Sequence, residues 1–198
     1  MLREVDVIAC EDTRRTRGLL AHFDIHTPTV SYYEHNKLVR GRELLRRLAE
    51  GRTVALVTDA GTPGISDPGF LLVRDARAEG AAVVPIPGPS AVVTVLSAAG
   101  VPADRFVFDG FLPVKPGRRL NRLRALKELE TTLVLYESPH RIIAALEAID
   151  ATFGDRLIVV ARELTKQFEE IEQGTAAAHL ARLREHPPRG EFVIVIGR

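Results

Sequence analysis

Between an apolar run and a helical pattern lies the stretch Val57-Thr58-Asp59-Ala60-Gly61-Thr62-Pro63-Gly64-Ile65-Ser66-Asp67-Pro68-Gly69. Glycine allows backbone angles that other residues avoid, and proline fixes φ and removes a donor, so this composition predicts an ordered turn. In α/β proteins, ligands bind at the carboxyl ends of the strands. The carboxylates Asp59 and Asp67 therefore make the stretch a candidate binding site. The alternative is a tight structural connection whose acids cap turns or the next helix.

Strand and helix patterns alternate on both sides of this stretch. In the first half of the chain, apolar runs predict strands at residues 5–10, 53–58 and 82–86. Such alternation is typical of a mostly parallel sheet covered by helices on both faces. In the second half, short strands and helices follow one another closely enough to favour antiparallel pairing. We therefore predict an α/β protein with two domains, residues 1–104 with a mostly parallel sheet and residues 105–198 with a mixed sheet.

Composition limits the class of protein. The net charge of +1 excludes a globally basic nucleic-acid binder but leaves room for a local basic patch. The single cysteine, Cys10, excludes a disulfide framework, and the six histidines show no metal-ligand spacing. Prolines and glycines interrupt the uncharged residues 80–103, and the N-terminus lacks a signal-peptide pattern. These features predict a cytoplasmic protein without a metal centre or a membrane span.

Four predicted strand ends carry loops that combine polar residues with helix-start or turn residues: residues 11–14, 57–69, 87–91 and 136–141. Each loop alone is a weak signal. Because the carboxyl ends of parallel strands lie at one edge of a sheet, the four together indicate a binding site. The chain has no Walker loop and no Gly-x-Ser-x-Gly elbow, which argues against the enzyme classes that depend on them.

Six ordered segments carry a family resemblance: Ala9-Cys10-Glu11-Asp12-Thr13-Arg14, the stretch from Val57 to Gly69, Val84 to Ala91, Gly110-Phe111-Leu112-Pro113, Tyr136-Glu137-Ser138-Pro139-His140-Arg141 and Ala161-Arg162-Glu163-Leu164-Thr165-Lys166. Together they resemble the family of ribosomal RNA small subunit methyltransferases I, within the tetrapyrrole methylase superfamily. The resemblance covers nearly the whole chain. It implies two α/β domains with S-adenosylmethionine in the cleft between them. It also implies 2′-O-methylation of a cytidine in 16S rRNA of the small ribosomal subunit, by a homodimer.

The resemblance further implies which residues contact the cofactor. In the first domain they are Asp59, Ala60, Gly61, Ile65, Ser66, Pro87, Gly88, Pro89, Ser90 and Ala91, and in the second Tyr136, Glu137, Ala161, Arg162 and Glu163. The chemistry is compatible, because carboxylates favour a sulfonium cation and accept hydrogen bonds from ribose hydroxyls.

A general base that takes the hydroxyl proton would add roughly 10²–10⁴-fold to methyl transfer. The candidates are Asp67, Glu11 and Asp12, and of the two acids in the glycine/proline stretch we assign Asp67 to chemistry and Asp59 to the shape of the cofactor loop. The alternative for Glu11 and Asp12 is that they cap the next helix and pair with nearby arginines.

Basic and polar residues in two regions are candidates for RNA contact: Arg14, Arg15, His35, Asn36, Lys115, Arg118, Arg119 and Arg141. Phosphate contacts position an RNA substrate, while a loop nucleotide is recognised by stacking and by its 2′-hydroxyl. Tyr32 and Tyr33 lie in an irregular connection predicted for residues 22–36 and are candidates for such stacking. The alternatives are a solvated helix face at residues 118–127 and a tyrosine packed in the core.

The chain departs from the family pattern at both ends. Family members place a strand and a Pro/Gly loop before the position of Val5, and a small helical segment after the position of Arg198. The missing strand predicts an unpaired strand edge in the first sheet. Two other interpretations therefore stay open: a methylase of a tetrapyrrole-like small molecule, and a non-catalytic remnant that binds RNA or the cofactor.

Overall fold

The computed structural model describes Met1 to Arg198, which form two compact units, Met1–Ser90 and Ala91–Arg198. The first unit contains β1 (Val7–Cys10), α1 (Thr13–His22), β2 (Thr29–Ser31), α2 (Lys37–Ala49), β3 (Val54–Val57) and α3 (Phe70–Ala78). The second contains α4 (Ala91–Ala98), β4 (Phe106–Phe111), α5 (Pro116–Lys127), β5 (Thr132–Glu137), α6 (Ile142–Phe153), β6 (Ile158–Arg162), β7 (Glu170–Gly174), α7 (Ala176–Glu185) and β8 (Phe192–Ile196). None of the helices is both long and apolar enough to cross a membrane.

The first unit is built on a parallel sheet with the strand order β2-β1-β3. The central strand β1 is completely buried, and its side chains alternate between two cores. Val7 and Ala9 pack with residues of α2 and α3, whereas Ile8 and Cys10 pack with Leu20 of α1. Helices therefore cover both faces, as the strand–helix alternation predicts.

Two predictions for the first unit are wrong. The irregular connection predicted for residues 22–36 contains β2, three residues that become a strand by pairing with β1. Residues 82–86 form no strand, and Val84 and Ile86 remain 71% and 55% exposed. An extended segment is a strand only when a neighbour takes its backbone hydrogen bonds, and here β3 pairs with β1 alone.

The second unit is built on a mixed sheet with the order β4-β5-β8-β6-β7. β4 and β5 are parallel, and the other neighbouring pairs are antiparallel, which confirms the predicted mixed sheet. α5, α6 and α7 cover one face of this sheet, and α4 packs on the other. The sequence-based division at residue 104 assigns α4 to the first domain, whereas its apolar residues are buried against the sheet of the second unit.

Candidate active site

Three carboxylates follow the parallel strands β1 and β3, whose carboxyl ends lie side by side. They belong to Glu11, directly after β1, and to Asp59 and Asp67 in the loop after β3. Thr58 connects two of them, because its Oγ1 lies 2.9 Å from Oδ2 of Asp67 and 3.4 Å from Oε2 of Glu11. A hydroxyl has one proton to donate, and the shorter distance directs it to Asp67. The structure thus brings two of the three base candidates, Asp67 and Glu11, to a common neighbour.

The electrostatics of this cluster act on Glu11. Burial raises the pKa of its carboxyl, and the negative charges of Asp67 and Asp59 raise it further. The nearby hydroxyl of Thr58 and the charge of Arg15 oppose this rise in pKa without cancelling it. A carboxylate whose pKa moves towards neutrality is a stronger base near pH 7. Glu11 therefore has an environment suited to accepting a proton.

Asp12 has a different role from its neighbour. It is the N-cap of α1, and its Oδ1 accepts a 2.8 Å hydrogen bond from the backbone N–H of Arg14. The side chain of Arg14 also donates to this carboxylate, which lowers the pKa of Asp12. A carboxylate held in its charged form by a cap and an arginine is a weak base. The structure therefore favours the capping alternative for Asp12.

The two loops predicted to contact the cofactor from the first unit are joined by a hydrogen bond. Oγ1 of Thr62 donates to the backbone carbonyl of Pro89 at 3.0 Å. Within the first loop, Ser66 has a φ of 59°, a backbone conformation that residues other than glycine rarely adopt. Gly69 packs so closely that a Cβ on it would lie 3.0 Å from the backbone nitrogen of Gly64. The stretch is therefore an ordered turn, as its glycine and proline content predicts.

Most predicted cofactor residues in these loops are open to a ligand. The exposed ones are Asp59, Ala60, Gly61, Ile65, Ser66, Pro87, Gly88 and Pro89, while Ser90 is half-buried and Ala91 begins α4. Although Asp59 is exposed as a whole, its carboxylate is drawn towards Nη1 of Arg15 at 3.5 Å. The side chain of Asp59 is 19% exposed, but that of Arg15 is 74% exposed and the 3.5 Å contact is long, so Arg15 can exchange Asp59 for another anion.

The predicted cofactor residues of the second unit lie at the ends of β5 and β6. Tyr136 is half-buried, and its ring packs edge-to-face on Phe108 with centroids 4.7 Å apart. Ala161 is fully buried between two strands, so only its neighbours can offer side chains to a ligand. These neighbours are already paired: Arg162 binds Glu170 at 2.5 Å, and Glu163 binds Lys166 at 2.9 Å.

Glu137 is the most buried charged residue at these strand ends. Its carboxylate is almost completely inaccessible, and Oε1 accepts a 2.9 Å hydrogen bond from the backbone N–H of Ser138. Nε of Arg141 approaches Oε1 at 3.4 Å, and Oε2 has no hydrogen-bond partner. Burial raises the pKa of Glu137 above its ordinary value, against the Ser138 hydrogen bond and the charges of Arg141 and Arg119.

The basic residues predicted to contact RNA around α5 fall into two groups. Lys115 and Arg118 are exposed and form no ion pair or side-chain hydrogen bond. Arg119 is buried, and its guanidinium donates to the backbone carbonyls of Pro113 at 3.2 Å and Val114 at 2.9 Å. Only the first group is available to phosphate.

Near the start of α2, the predicted stacking residues also differ from one another. Tyr32 is buried in the core of the first unit, which agrees with the packing alternative. Tyr33 is 40% exposed and lies edge-to-face with His35, at 6.0 Å between centroids. Asn36 is occupied by the backbone, since its amide donates to the carbonyl of Ser31 at 3.1 Å and its Oδ1 accepts from the N–H of Tyr33 at 2.8 Å.

Two side chains that connect parts of the candidate site were not predicted from the sequence. Thr58 connects Glu11 with Asp67, and Thr62 connects the two loops that are predicted to contact the cofactor. Both lie in the stretch from Val57 to Gly69, where hydroxyls among glycines, prolines and acids were the available signal. Their partners come from other segments, and local spacing carries no information about those contacts.

Comparison with known proteins shows the family and the fold. The family profile of the tetrapyrrole (corrin/porphyrin) methylases matches residues 1–179. The ribosomal RNA small subunit methyltransferase I of Xylella fastidiosa is 49% identical to this chain, over 99% of the chain and 73% of the relative. The protein of the same name from Escherichia coli O157:H7 is 47% identical, over 99% and 70%.

Solved structures with lower identity share the architecture. A cobalt precorrin-4 methyltransferase superimposes with a TM-score of 0.72 at 18% identity, covering 99% of this chain and 85% of that one. A diphthine synthase gives a TM-score of 0.74 at 16% identity, covering 99% and 81%. At such identities the likeness concerns the fold alone, and it confirms the predicted α/β class.

Proposed function

The chain belongs to the tetrapyrrole methylase family, whose methyl donor is S-adenosylmethionine, and we propose that it methylates the ribose 2′-oxygen of a cytidine in 16S rRNA. Relatives with 47–49% identity over nearly the whole chain bear the name ribosomal RNA small subunit methyltransferase I. The observation that carries the proposal is the grouping of Glu11 and Asp67 around Thr58, because a hydroxyl acceptor needs a base. Methylation of a more acidic acceptor would not require such a pair.

The first unit has groups that fit the cofactor. When bound, S-adenosylmethionine supplies a methyl group on a positively charged sulfonium, and a cluster of carboxylates favours that charge. We assign the binding surface to the two loops that Thr62 and Pro89 join, with Asp59 available to ribose hydroxyls. In the second unit, Tyr136 and the loop at Arg162 and Glu163 are further candidates. Ala161 can take part only through its neighbours, because its side chain is buried.

The reaction then depends on the alignment of the 2′-oxygen with the methyl group and on the removal of the proton of that hydroxyl. Holding the 2′-oxygen in line with the methyl group supplies much of the rate, since the displacement needs no covalent enzyme intermediate. We assign the base to the pair Asp67 and Glu11. Because its pKa is raised, the carboxylate of Glu11 is a stronger base than that of an ordinary glutamate. Asp67 is oriented by the hydroxyl of Thr58. Asp12 holds the start of α1 in place.

For the RNA, exposed cations and one exposed ring pair are available. We propose that Arg14, Arg15, Lys115 and Arg118 contact phosphates, and that Tyr33 and His35 contact a nucleotide by stacking. Asn36 supports this ring pair through its bond to the backbone of Tyr33. A homodimer acting in the cytoplasm, where small ribosomal subunits reside, completes the proposal.

The test is methyl transfer from S-adenosylmethionine to unmethylated small ribosomal subunits. Nuclease digestion and mass spectrometry of the RNA are expected to show 2′-O-methylcytidine with wild-type protein and to lose it with Asp67→Asn. Methylation of a base instead of a ribose would refute the 2′-oxygen assignment. Transfer to a tetrapyrrole but not to RNA would support the small-molecule alternative. Cofactor binding by calorimetry without any transfer would support a binding protein.

A further inference from the structure

In the second unit, Arg119 and Arg141 bind one short loop and Glu137 pairs with Arg141; these three side chains are called the loop clamp here. Arg141 donates a hydrogen bond to the carbonyl of Leu112. Arg119 donates to the two carbonyls that follow, those of Pro113 and Val114. Three consecutive carbonyls of residues 112–114 are thus bound by two guanidinium groups, which fixes the path of the chain into α5.

Glu137 is almost completely buried and lies beside Arg141. Its Oε1 is 3.4 Å from Nε of Arg141, and its charge also acts on Arg119. A buried carboxylate with one oxygen unsatisfied weakens a fold rather than strengthening it, so stability alone does not account for this residue. Its geometry suits a counter-charge that holds the guanidinium of Arg141 in one orientation.

The loop held in this way leads directly to exposed cations. Val114 is 70% exposed, and Lys115 and Arg118 are exposed without any ion pair. Lys115 occupies the N-cap position of α5, so the direction of its side chain depends on the path of residues 112–114. Arginines that bind carbonyls inside the protein therefore determine how the unpaired cations outside it are presented.

We propose that Glu137 is a positioning residue for RNA: through Arg141, and together with Arg119, it holds the loop at residues 112–115 so that Lys115 and Arg118 meet the phosphates of the substrate. This inference rests on the proposed RNA substrate. It gives Glu137 a different role from the cofactor contact that the family resemblance implies. It also removes Arg119 and Arg141 from the set of phosphate contacts.

The test compares Glu137→Gln with Glu172→Gln, which removes the same charge from a Glu–Arg pair at Arg182, away from the loop. For Glu137→Gln we expect the KM for small ribosomal subunits to rise about tenfold, or about 1.4 kcal/mol, because Lys115 and Arg118 would be held less well for phosphate contact. The kcat and the affinity for S-adenosylmethionine are expected to stay unchanged. Hydrogen exchange in peptides covering residues 111–118 is expected to accelerate. Glu172→Gln is expected to change neither the KM nor this exchange.

An unchanged KM and unchanged exchange in Glu137→Gln would overturn the proposal. So would a weaker affinity for S-adenosylmethionine at constant KM for RNA, because that result would make Glu137 a cofactor contact. Arg141→Lys provides a second variant, since lysine cannot bind the carbonyl of Leu112 and Glu137 with a planar fork, and the same effects are expected. If the wild-type protein does not methylate RNA, the proposed function fails, whereas the exchange measurement still decides whether the clamp orders the loop.

Discussion

Oγ1 of Thr58 lies 2.9 Å from Oδ2 of Asp67, across the turn that follows β3. The same oxygen is 3.4 Å from Oε2 of Glu11, which follows the neighbouring strand. One hydroxyl therefore lies between two carboxylates from separate segments. Because Thr58 directs its proton to Asp67, it fixes the orientation of one acid and leaves the other free to accept a proton.

Thr58→Val tests this role of the hydroxyl, since valine keeps the shape and removes the donor. A hydrogen bond to a charged group contributes about 1.5–3 kcal/mol, so we expect transfer to fall by roughly 10- to 100-fold. Single-turnover rates with bound S-adenosylmethionine measure the effect. A rate equal to wild type would show that Asp67 needs no orientation by Thr58.

Asp67→Asn and Asp12→Ala separate a base from a cap. Asp67→Asn is expected to reduce methyl transfer by about 10²–10⁴-fold, the usual contribution of a general base, with little change in the melting temperature. Asp12→Ala removes the N-cap of α1 and is expected to lower stability by about 1 kcal/mol while transfer by the folded protein persists. Thermal unfolding and transfer assays on both variants check the pair. Reversed effects would return catalysis to Asp12.

The pKa of Glu11 is expected to fall when the negative charge of Asp67 is removed. Burial raises this pKa first, and the negative charge of Asp67 raises it next, so Asp67→Asn should move it downwards. Titration of the Glu11 carboxyl carbon by NMR in both proteins measures the direction. Asp12→Asn serves as the control, because Asp12 is not among the causes of the raised pKa of Glu11. A pKa that does not fall in Asp67→Asn would contradict the electrostatic coupling.

The sequence predicts the strands that are buried on both sides and misses the ones that depend on partners. β1 has an apolar side chain at every position and appears where it is expected. β2 is a strand because its backbone pairs with β1, which its own three residues do not reveal. Residues 82–86 have the right composition and lack a partner. In these cases a segment forms a strand only when a second strand pairs with it, so the sequence of one segment alone does not identify the strand.

In the candidate site, too, some residues could be predicted from the sequence and others could not. Glu11 and Asp67 were predictable because each follows a predicted strand, and parallel strands end at one edge. The use of Arg119 was not predictable, because its partners are backbone carbonyls, which leave no mark in the sequence. The charge of Arg119 suggested a phosphate contact, but its guanidinium is buried and donates its hydrogen bonds to the loop before α5.

Glu137→Gln is expected to change the pH dependence of stability. Because the pKa of Glu137 in the folded protein is raised above the ordinary 4.5, its neutral form is favoured by folding, and that contribution is lost as the pH rises through the folded pKa. Glutamine stays neutral, so the variant should gain stability relative to wild type from acidic to neutral pH. Denaturant unfolding at several pH values measures the difference, with Glu172→Gln as control. A difference that does not grow with pH would show that ionised Glu137 is fully compensated in the folded state.

Gly69→Ala tests the close packing of the turn behind the candidate site. A Cβ at this position would lie 3.0 Å from the backbone nitrogen of Gly64 and 3.2 Å from Cδ2 of Leu56, and backbone cannot move aside as a flexible side chain can. Overpacking of this kind costs about 1–3 kcal/mol, so we expect a lower melting temperature and weaker binding of S-adenosylmethionine. Gly117→Ala is the matched control, because a Cβ there meets nothing within 4 Å and α5 tolerates alanine. If both variants unfold at the wild-type temperature and bind S-adenosylmethionine equally well, the turn is looser than its packing indicates.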